Sequence, residues 1–284
     1  MSVKAAGGAG EAAVGGGAAT TTTGKPLEFG DQSLLEELST KYARYGHNIY
    51  GNRGSYTVKS GRSIEHAGKL YYVIEKGSKE LKDLQEELDM LKYVSDPEYA
   101  SAPHVSKLVA AKLNPTPSTE RKRHVYSGLF VFDLENSQAM DLRQFLQRGM
   151  DRRVGVTRQK IYDDLHAAIE ALHSIGVIHR DIKPENIIIL YKVLSDDGKL
   201  LSPPYPYVGL RIIDFGFAVE LGSEISFAGT IAYAPSMSTY PATAQPNLNK
   251  YSLEIIARNN LGPGISRKPR RTRRHRSRRS RTRA

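Results

Sequence analysis

The middle of the chain alternates between short apolar runs and longer segments with helical spacing. The run LYYVIEK (70–76) is rich in β-branched and aromatic residues and predicts a strand, and residues 79–94 place leucines on one side of a helix. A second apolar run, GLFVFDL (128–134), predicts a buried strand, and residues 141–149 predict a short helix after a polar turn. In both stretches a predicted strand is therefore followed by a predicted helix.

The clearest helix is predicted for residues 157–176. Apolar residues recur there at helical spacing, Thr157 can cap the start through its hydroxyl, and Gly176 can end the helix. This helix leads directly into the segment with the strongest chemical signal, residues 177–190.

The two ends of the chain differ in composition from the middle. Residues 1–25 are a Gly/Ala/Thr mixture with almost no large apolar side chain, and we predict that they are disordered. Residues 261–284 carry eleven Lys and Arg and no acidic residue, which leaves 30 basic against 30 acidic residues elsewhere. The net charge of +11 thus belongs to a predicted disordered basic tail, and the folded domain is predicted over residues 26–260.

Several classes of protein are disfavoured by what the sequence lacks. It has no Cys, hence no disulfide and no thiolate chemistry. We find neither an apolar run long enough to span a membrane nor a signal-peptide pattern, and we expect no membrane partner. These features favour an intracellular protein, in the nucleus or the cytoplasm, with the basic tail favouring the nucleus.

Two segments carry recognisable chemistry: VIHRDIKPENIIIL (177–190) and RIIDFGFA (211–218). They match the catalytic-loop and metal-loop motifs of protein kinases in sequence and in order. The chain therefore resembles the eukaryotic-type Ser/Thr protein kinases. The resemblance implies an α+β, bilobal fold with a small sheet-rich N-lobe (about 26–134) and a mainly helical C-lobe (about 135–260).

The resemblance also assigns roles in phosphoryl transfer from ATP to a protein hydroxyl. Asp181 would accept the proton of the substrate hydroxyl, and Lys183 would offset charge on the transferring phosphoryl group. Asn186 and Asp214 would hold Mg²⁺ against the phosphates. Arg180 would be available to an activation-loop phosphate.

A strand lysine that contacts the phosphates and pairs with a helix glutamate is expected upstream. Lys76 and Glu87 are the candidates. Lys69 competes for the lysine role, while Glu80 and Glu86 compete for the glutamate role.

A glycine-rich phosphate loop should precede that lysine strand. Gly54 is the best candidate, although a plain hairpin turn explains the same residues about as well. By analogy, Phe132 and residues 133–135 would lie at the hinge that grips adenine.

Two apolar stretches flank the expected metal ligands. Residues 187–189 and 212–213 are predicted to pair as short buried strands, and residues 195–209 between them look like a surface insertion.

Residues 227–240 resemble the activation segment and substrate-binding loop, and Gly229 followed by Thr230 favours Ser/Thr specificity. The usual Ala-Pro-Glu reads Ala-Pro-Ser at 234–236. Casein kinase 1 also lacks that glutamate, so the sequence favours that branch of the family.

The C-lobe departs further from the pattern. Asn249 stands where the family has an aspartate that braces the catalytic loop, which predicts a less rigid loop. The resemblance ends near residue 260, so the later helices of the C-lobe are missing and a truncated lobe is expected to expose an apolar face for a partner. A pseudokinase or kinase remnant that binds nucleotide or protein is therefore the alternative to an active enzyme.

The Arg-rich tail has no aromatic residue on which bases could stack. We expect at most non-specific, salt-sensitive contact with nucleic acid from this segment.

Overall fold

The computed structural model describes residues 26–44, 50–51, 58–96, 98, 104–105, 107–120, 123–195 and 197–265. The strands are β1 Leu27–Gly30, β2 Tyr50–Gly51, β3 Val58–His66, β4 Lys69–Ser78, β5 Leu108–Glu120, β6 Arg123–Asp133, β7 Gln138–Asp141, β8 Val177–Ile178, β9 Ile187–Tyr191, β10 Tyr207–Ile212 and β11 Val219–Glu220. The α-helices are α1 Gln32–Arg44, α2 Leu81–Ser95, α3 Leu142–Gln147, α4 Met150–Val154, α5 Arg158–Ser174 and α6 Asn247–Ile256. Short 3₁₀ turns occupy Pro184–Asn186 and Met237–Thr239, and a π-helical turn, Ala257–Leu261, extends α6.

The N-lobe is built on an antiparallel six-stranded sheet in the order β1-β5-β6-β4-β3-β2. Side chains alternate between its two faces, so Tyr72 and Ile74 join the core beneath α2 while Val73 joins a separate cluster on the opposite face. The predicted strands and helix are confirmed with small shifts at their ends: 70–76 lies within β4, 128–134 runs one residue past β6, and 79–94 begins two residues before α2.

The opposite face of the sheet is covered by α1, which the sequence reading did not predict. Leu34, Leu35 and Leu38 are buried there against Val73 and Val131. Asp31 caps the helix by accepting a hydrogen bond from the Leu34 amide at 3.1 Å. The sequence signal for this helix was an Asp cap followed by the pattern Leu-Leu-x-x-Leu.

The C-lobe is organised around α5, whose predicted boundaries are confirmed. The hydroxyl of Thr157 accepts a hydrogen bond from the Lys160 amide at 3.1 Å, and Gly176 follows the helix with a left-handed φ of 76°. Ile187 pairs with Ile212 in the sheet β10-β9-β7, which confirms the predicted pairing of the two apolar stretches. The α+β bilobal fold is thereby confirmed.

The last helix, α6, buries Leu253 and Ile256 and exposes Lys250, Tyr251 and Glu254. The exposed side of α6 is thus polar apart from one aromatic ring, and the broad apolar face expected at this end of the C-lobe stays a prediction. Packing also continues past the predicted boundary at 260, as residues 261–265 include buried and half-buried side chains. None of the helices in the described ranges has both the length and the apolar character needed to cross a membrane.

Candidate active site

The predicted catalytic residues lie on the loop between β8 and the 3₁₀ turn Pro184–Asn186. Asp181 is buried, and its Oδ2 accepts hydrogen bonds from Lys183 Nζ at 2.6 Å and from Asn186 Nδ2 at 3.0 Å. Its Oδ1 accepts a bond from the backbone amide of Thr230 at 2.8 Å. The Asp181 carboxylate therefore gathers the other two predicted residues of the loop, and Thr230 of the activation segment, around it.

The second group of predicted residues meets where the two lobes face each other. Lys76 Nζ, on β4, lies 2.5 Å and 2.6 Å from the two carboxylate oxygens of Glu87 on α2, and it also pairs with Asp214 Oδ1. Lys76 and Glu87 are 3% and 4% exposed, so both charges depend on these partners. Burial alone would lower the pKa of Lys76, but the two carboxylates outweigh it and raise that pKa above its ordinary value.

The competing candidates do not take part in this ion pair, and the choice of the lysine that contacts ATP stays a prediction. Lys69 is exposed at the first position of β4, away from the buried end of the strand. Glu80 is exposed immediately before α2, and Glu86 is exposed and pairs with Lys82 at 3.4 Å.

The two groups are joined through the backbone beside the predicted metal ligands. The Ile213 amide donates to the carbonyl oxygen of Asn186 at 3.0 Å, and the Ile213 carbonyl lies 3.1 Å from His179 Nε2. Asp214 adopts a left-handed φ of 74°, which turns the chain after β10. Asn186 and Asp214 are thus held on neighbouring backbone segments.

The catalytic loop is braced from α6. Asn249 is fully buried, and its Oδ1 accepts a hydrogen bond from the Arg180 amide at 3.0 Å. The amide keeps the acceptor that the family's aspartate would provide, without its charge, and the lower rigidity of the loop stays a prediction.

A comparison of the sequence with models of known protein families leads to the same class of protein as the arrangement of these residues. The model of the family described as "Protein kinase domain" matches residues 55–259, most of the chain. The chain belongs to the protein kinase family.

The three individual kinases that follow are each less than 30% identical to this chain over the aligned residues. Rat (Rattus norvegicus) ribosomal protein S6 kinase alpha-1 is 29% identical over 219 residues, covering 74% of this chain and 23% of the relative. The Caenorhabditis elegans serine/threonine-protein kinase unc-51 is 28% identical over 117 residues, covering 41% and 12%. A probable serine/threonine-protein kinase of Saccharomyces cerevisiae, FMP48, is 24% identical over 156 residues, covering 51% and 42%.

The chain thus spans less than half the length of these curated relatives. The kinase domain in one solved structure is 17% identical with a TM-score of 0.45, covering 71% of this chain and 59% of that one. The placement in the casein kinase 1 branch stays a prediction.

Within this kinase fold, the activation segment approaches Asp181 at Gly229 and Thr230. Gly229 has a φ of 94°, and a Cβ there would lie 2.3 Å from the carbonyl oxygen of Arg180, so only glycine permits this approach. Arg180 donates to the carbonyl oxygens of Phe217 at 2.6 Å and Ser226 at 3.4 Å. The Arg180 guanidinium therefore links the backbone at Phe217 to the backbone at Ser226, directly before residues 227–240.

The loop that resembles a substrate-binding loop is anchored in a way that the sequence did not reveal. Ser236 is exposed and bonds only locally in the described contacts, with Ser238 and Thr239. Instead, the carbonyl oxygen of Tyr233 accepts a hydrogen bond of 2.8 Å from Ser252 on α6. Ser252 lies on the buried side of α6, and only the tertiary packing identifies its partner.

Two remaining predictions concern the nucleotide. Gly54 lies outside the described residues, so the phosphate-loop assignment stays a prediction. Asp133 ends β6 and residues 134–135 lead from it towards β7, with Glu135 paired to Arg211 at 2.9 Å, so residues 133–135 form the link between the lobes. Their contact with adenine stays a prediction.

Proposed function

We propose that this protein is a Ser/Thr protein kinase that transfers the γ-phosphoryl group of ATP to protein hydroxyls. The observation that carries the proposal is the pair of side-chain groups described above: Asp181 with Lys183 and Asn186 on one side, and Lys76 with Glu87 and Asp214 on the other. Phosphoryl transfer depends on positioned charges more than on covalent chemistry, and each of the two groups supplies charged side chains at fixed positions.

Asp181 is the group that would receive the proton of the substrate hydroxyl. Its Oδ2 is held by Lys183 and Asn186, so a substrate hydroxyl that replaces Thr230 at Oδ1 would meet a fixed acceptor. Lys183 also lies 2.9 Å from Thr230 Oγ1, at the activation segment. It can therefore offset negative charge next to the acceptor while the phosphoryl group moves.

The donor set fits Mg²⁺. The ion favours oxygen ligands, commonly one or two protein groups completed by substrate phosphates, and Asp214 with Asn186 offers a carboxylate and an amide oxygen. Among the described residues, no group of three or more His, Cys, Asp or Glu side chains gathers into a separate metal site. When bound, the ion would neutralise phosphate charge, and the two residues would orient it.

Lys76 would bind the non-transferred phosphates of ATP. Its ammonium group is buried between Glu87 and Asp214, and the raised pKa keeps it charged. A phosphate oxygen would compete with Asp214 for Lys76 while Glu87 holds the lysine in place. The proximity of Thr230 to Asp181 supports Ser or Thr as the acceptor.

The first test is transfer of labelled γ-phosphate from Mg-ATP to casein and to a basic protein, with Asp181→Ala and Asp214→Asn as inactive variants. Lys69→Met is the matched control, because this exposed lysine lies on the same strand as Lys76. We expect transfer by the wild type and the control and its loss in both inactive variants. A folded wild type without transfer would favour the pseudokinase or remnant that binds nucleotide or protein.

For residues 261–284 we propose non-specific nucleic-acid contact and a contribution to nuclear location. The charge count supports this, and counterion release predicts that affinity for any duplex falls steeply between 50 and 200 mM salt. A filter-binding series with equal affinities at both salt concentrations would contradict it.

A further inference from the structure

The edge strand β1 directs an aromatic side chain toward α2. Phe29 pairs with Ala111 of β5, and its ring packs against the core cluster to which α2 contributes Leu88 and Leu91. Lys92, in the last turn of α2, places its Nζ 5.3 Å from the centroid of the Phe29 ring. The ring therefore touches the side of the sheet on which α2 lies.

The position of β1 is fixed by close contacts rather than by strand pairing alone. Gly30 has a φ of 82°, and a Cβ there would lie 2.1 Å from the carbonyl oxygen of Val109. Glu28 pairs with Lys112 at 2.9 Å. Directly afterwards Asp31 caps α1, which covers the opposite face of the sheet. Residues 27–44 thus hold the edge of the sheet from both faces.

This segment lies outside the part of the chain that the kinase family model matches, residues 55–259. It nevertheless reaches the helix on which the Lys76 pair depends, because Glu87 lies on α2, one helical turn before Leu91. A displacement of α2 on the order of 1 Å would separate Glu87 from Lys76, and misplacements of that size can cost about 100-fold in rate.

We propose that β1 is an intramolecular clamp on α2, and that Phe29 is a positioning residue that holds Glu87 against Lys76. The catalytic part of this proposal rests on the proposed kinase activity, whereas the clamp itself does not. The segment would keep α2 in place without a separate activating partner at this edge of the sheet.

Hydrogen exchange on the full chain tests the clamp independently of activity. We compare wild type with Phe29→Ala, Phe29→Leu and Leu27→Ala, where Leu27 is the matched control because it lies on the same strand but is 48% exposed. Phe29→Ala should accelerate exchange of the amides of residues 85–92 about tenfold, with α5 unchanged, since elements open separately when local packing is lost. Phe29→Leu and Leu27→Ala should stay within about twofold of wild type. Equal acceleration in α2 and α5, or none, would overturn the clamp.

Kinetics then test whether Phe29 acts through Glu87. At a temperature at which every variant is folded, Phe29→Ala should lower kcat about tenfold, and in a Glu87→Gln background the same change should have an effect below about twofold. A tenfold loss in both backgrounds would rule out action through Glu87. If the wild type transfers no phosphate, the proposed function fails, and the exchange measurement still decides the clamp.

Discussion

Asn249 Oδ1 accepts a hydrogen bond of 3.0 Å from the backbone amide of Arg180. Arg180 has a φ of 65°. This conformation costs a non-glycine residue about 1–3 kcal/mol and persists only where the surrounding structure holds it. The next residue is Asp181, so this single bond from α6 supports the turn that aims the predicted proton acceptor.

Removing this acceptor should loosen the catalytic loop. Asn249→Ala leaves the Arg180 amide without its partner, and we expect a loss of about 1–3 kcal/mol in the free energy of unfolding. Because Asp181 then loses its fixed position, kcat should fall about tenfold or more while the KM for ATP changes little. Thermal melts and steady-state kinetics on the same preparations check both effects.

Asn259→Ala is the control for this prediction, since Asn259 is exposed in the π-helical turn that extends α6. It should leave melting temperature and kcat near wild type. Asn249→Asp keeps the acceptor oxygen and should retain most of the activity. Equal behaviour of Asn249→Ala and Asn259→Ala would show that the brace is dispensable.

The same asparagine makes stability depend on pH. Asn249 Nδ2 lies 3.1 Å from His173 Nε2, and an amide N–H can donate only to an unprotonated ring nitrogen. Burial lowers the pKa of His173 in the folded protein, while in the unfolded chain it titrates near about 6.5. The unfolded state therefore binds the proton more readily, so folding stability should fall as the pH drops from about 7 through 6.5 and below.

Melting temperatures between pH 5 and 8 test this dependence in wild type and His173→Gln. Gln can accept the Asn249 hydrogen bond but does not titrate, so the variant should lose part of the acid-side decline. Burial also lowers the pKa of His104, which should leave a residual decline of the same sign in both proteins. Identical curves for the two proteins would exclude His173 as a source.

The sequence predicted the elements with strong local patterns and the loops with dense motifs. For α5 the apolar spacing, the Thr157 cap and the Gly176 terminus all predicted the same helix, and the structure confirms it. Asp181, Lys183 and Asn186 fall within six consecutive residues, so their proximity followed from the motif once it was recognised.

The remaining features depended on contacts that a linear pattern cannot express. Lys76 and Lys69 lie on the same strand, and only the position of α2 distinguishes them. The brace by Asn249 could not be located from the sequence, because its hydrogen bond runs to the Arg180 amide, 69 residues earlier in the chain. The clamp of β1 on α2 joins residues far apart in the chain, and the four-residue strand carries little periodicity of its own.

Substituting the buried lysine should affect both chemistry and stability. Lys76→Met leaves Glu87 and Asp214 without their shared cation, and breaking a buried ion pair in this way typically costs about 3–5 kcal/mol. We expect phosphoryl transfer to be abolished and the melting temperature to fall. Lys69→Met should change neither, and the reverse outcome would restore Lys69 as the functional lysine.

The anchor of the substrate-binding loop offers a change that separates peptide binding from nucleotide binding. Ser252→Ala removes the hydrogen bond to the Tyr233 carbonyl, three residues after the Thr230 that contacts Asp181. We expect the KM for a peptide substrate to rise about fivefold or more, because a lost hydrogen bond of about 1–1.5 kcal/mol loosens that loop. The KM for ATP should stay within about twofold, since Lys76, Glu87 and Asp214 are not touched.

Ser238→Ala, at an exposed position of the same loop, serves as the control in initial-rate measurements with peptide and ATP varied separately. An equal rise in both KM values for Ser252→Ala would indicate a general loss of the C-lobe's structure instead of a role in peptide binding.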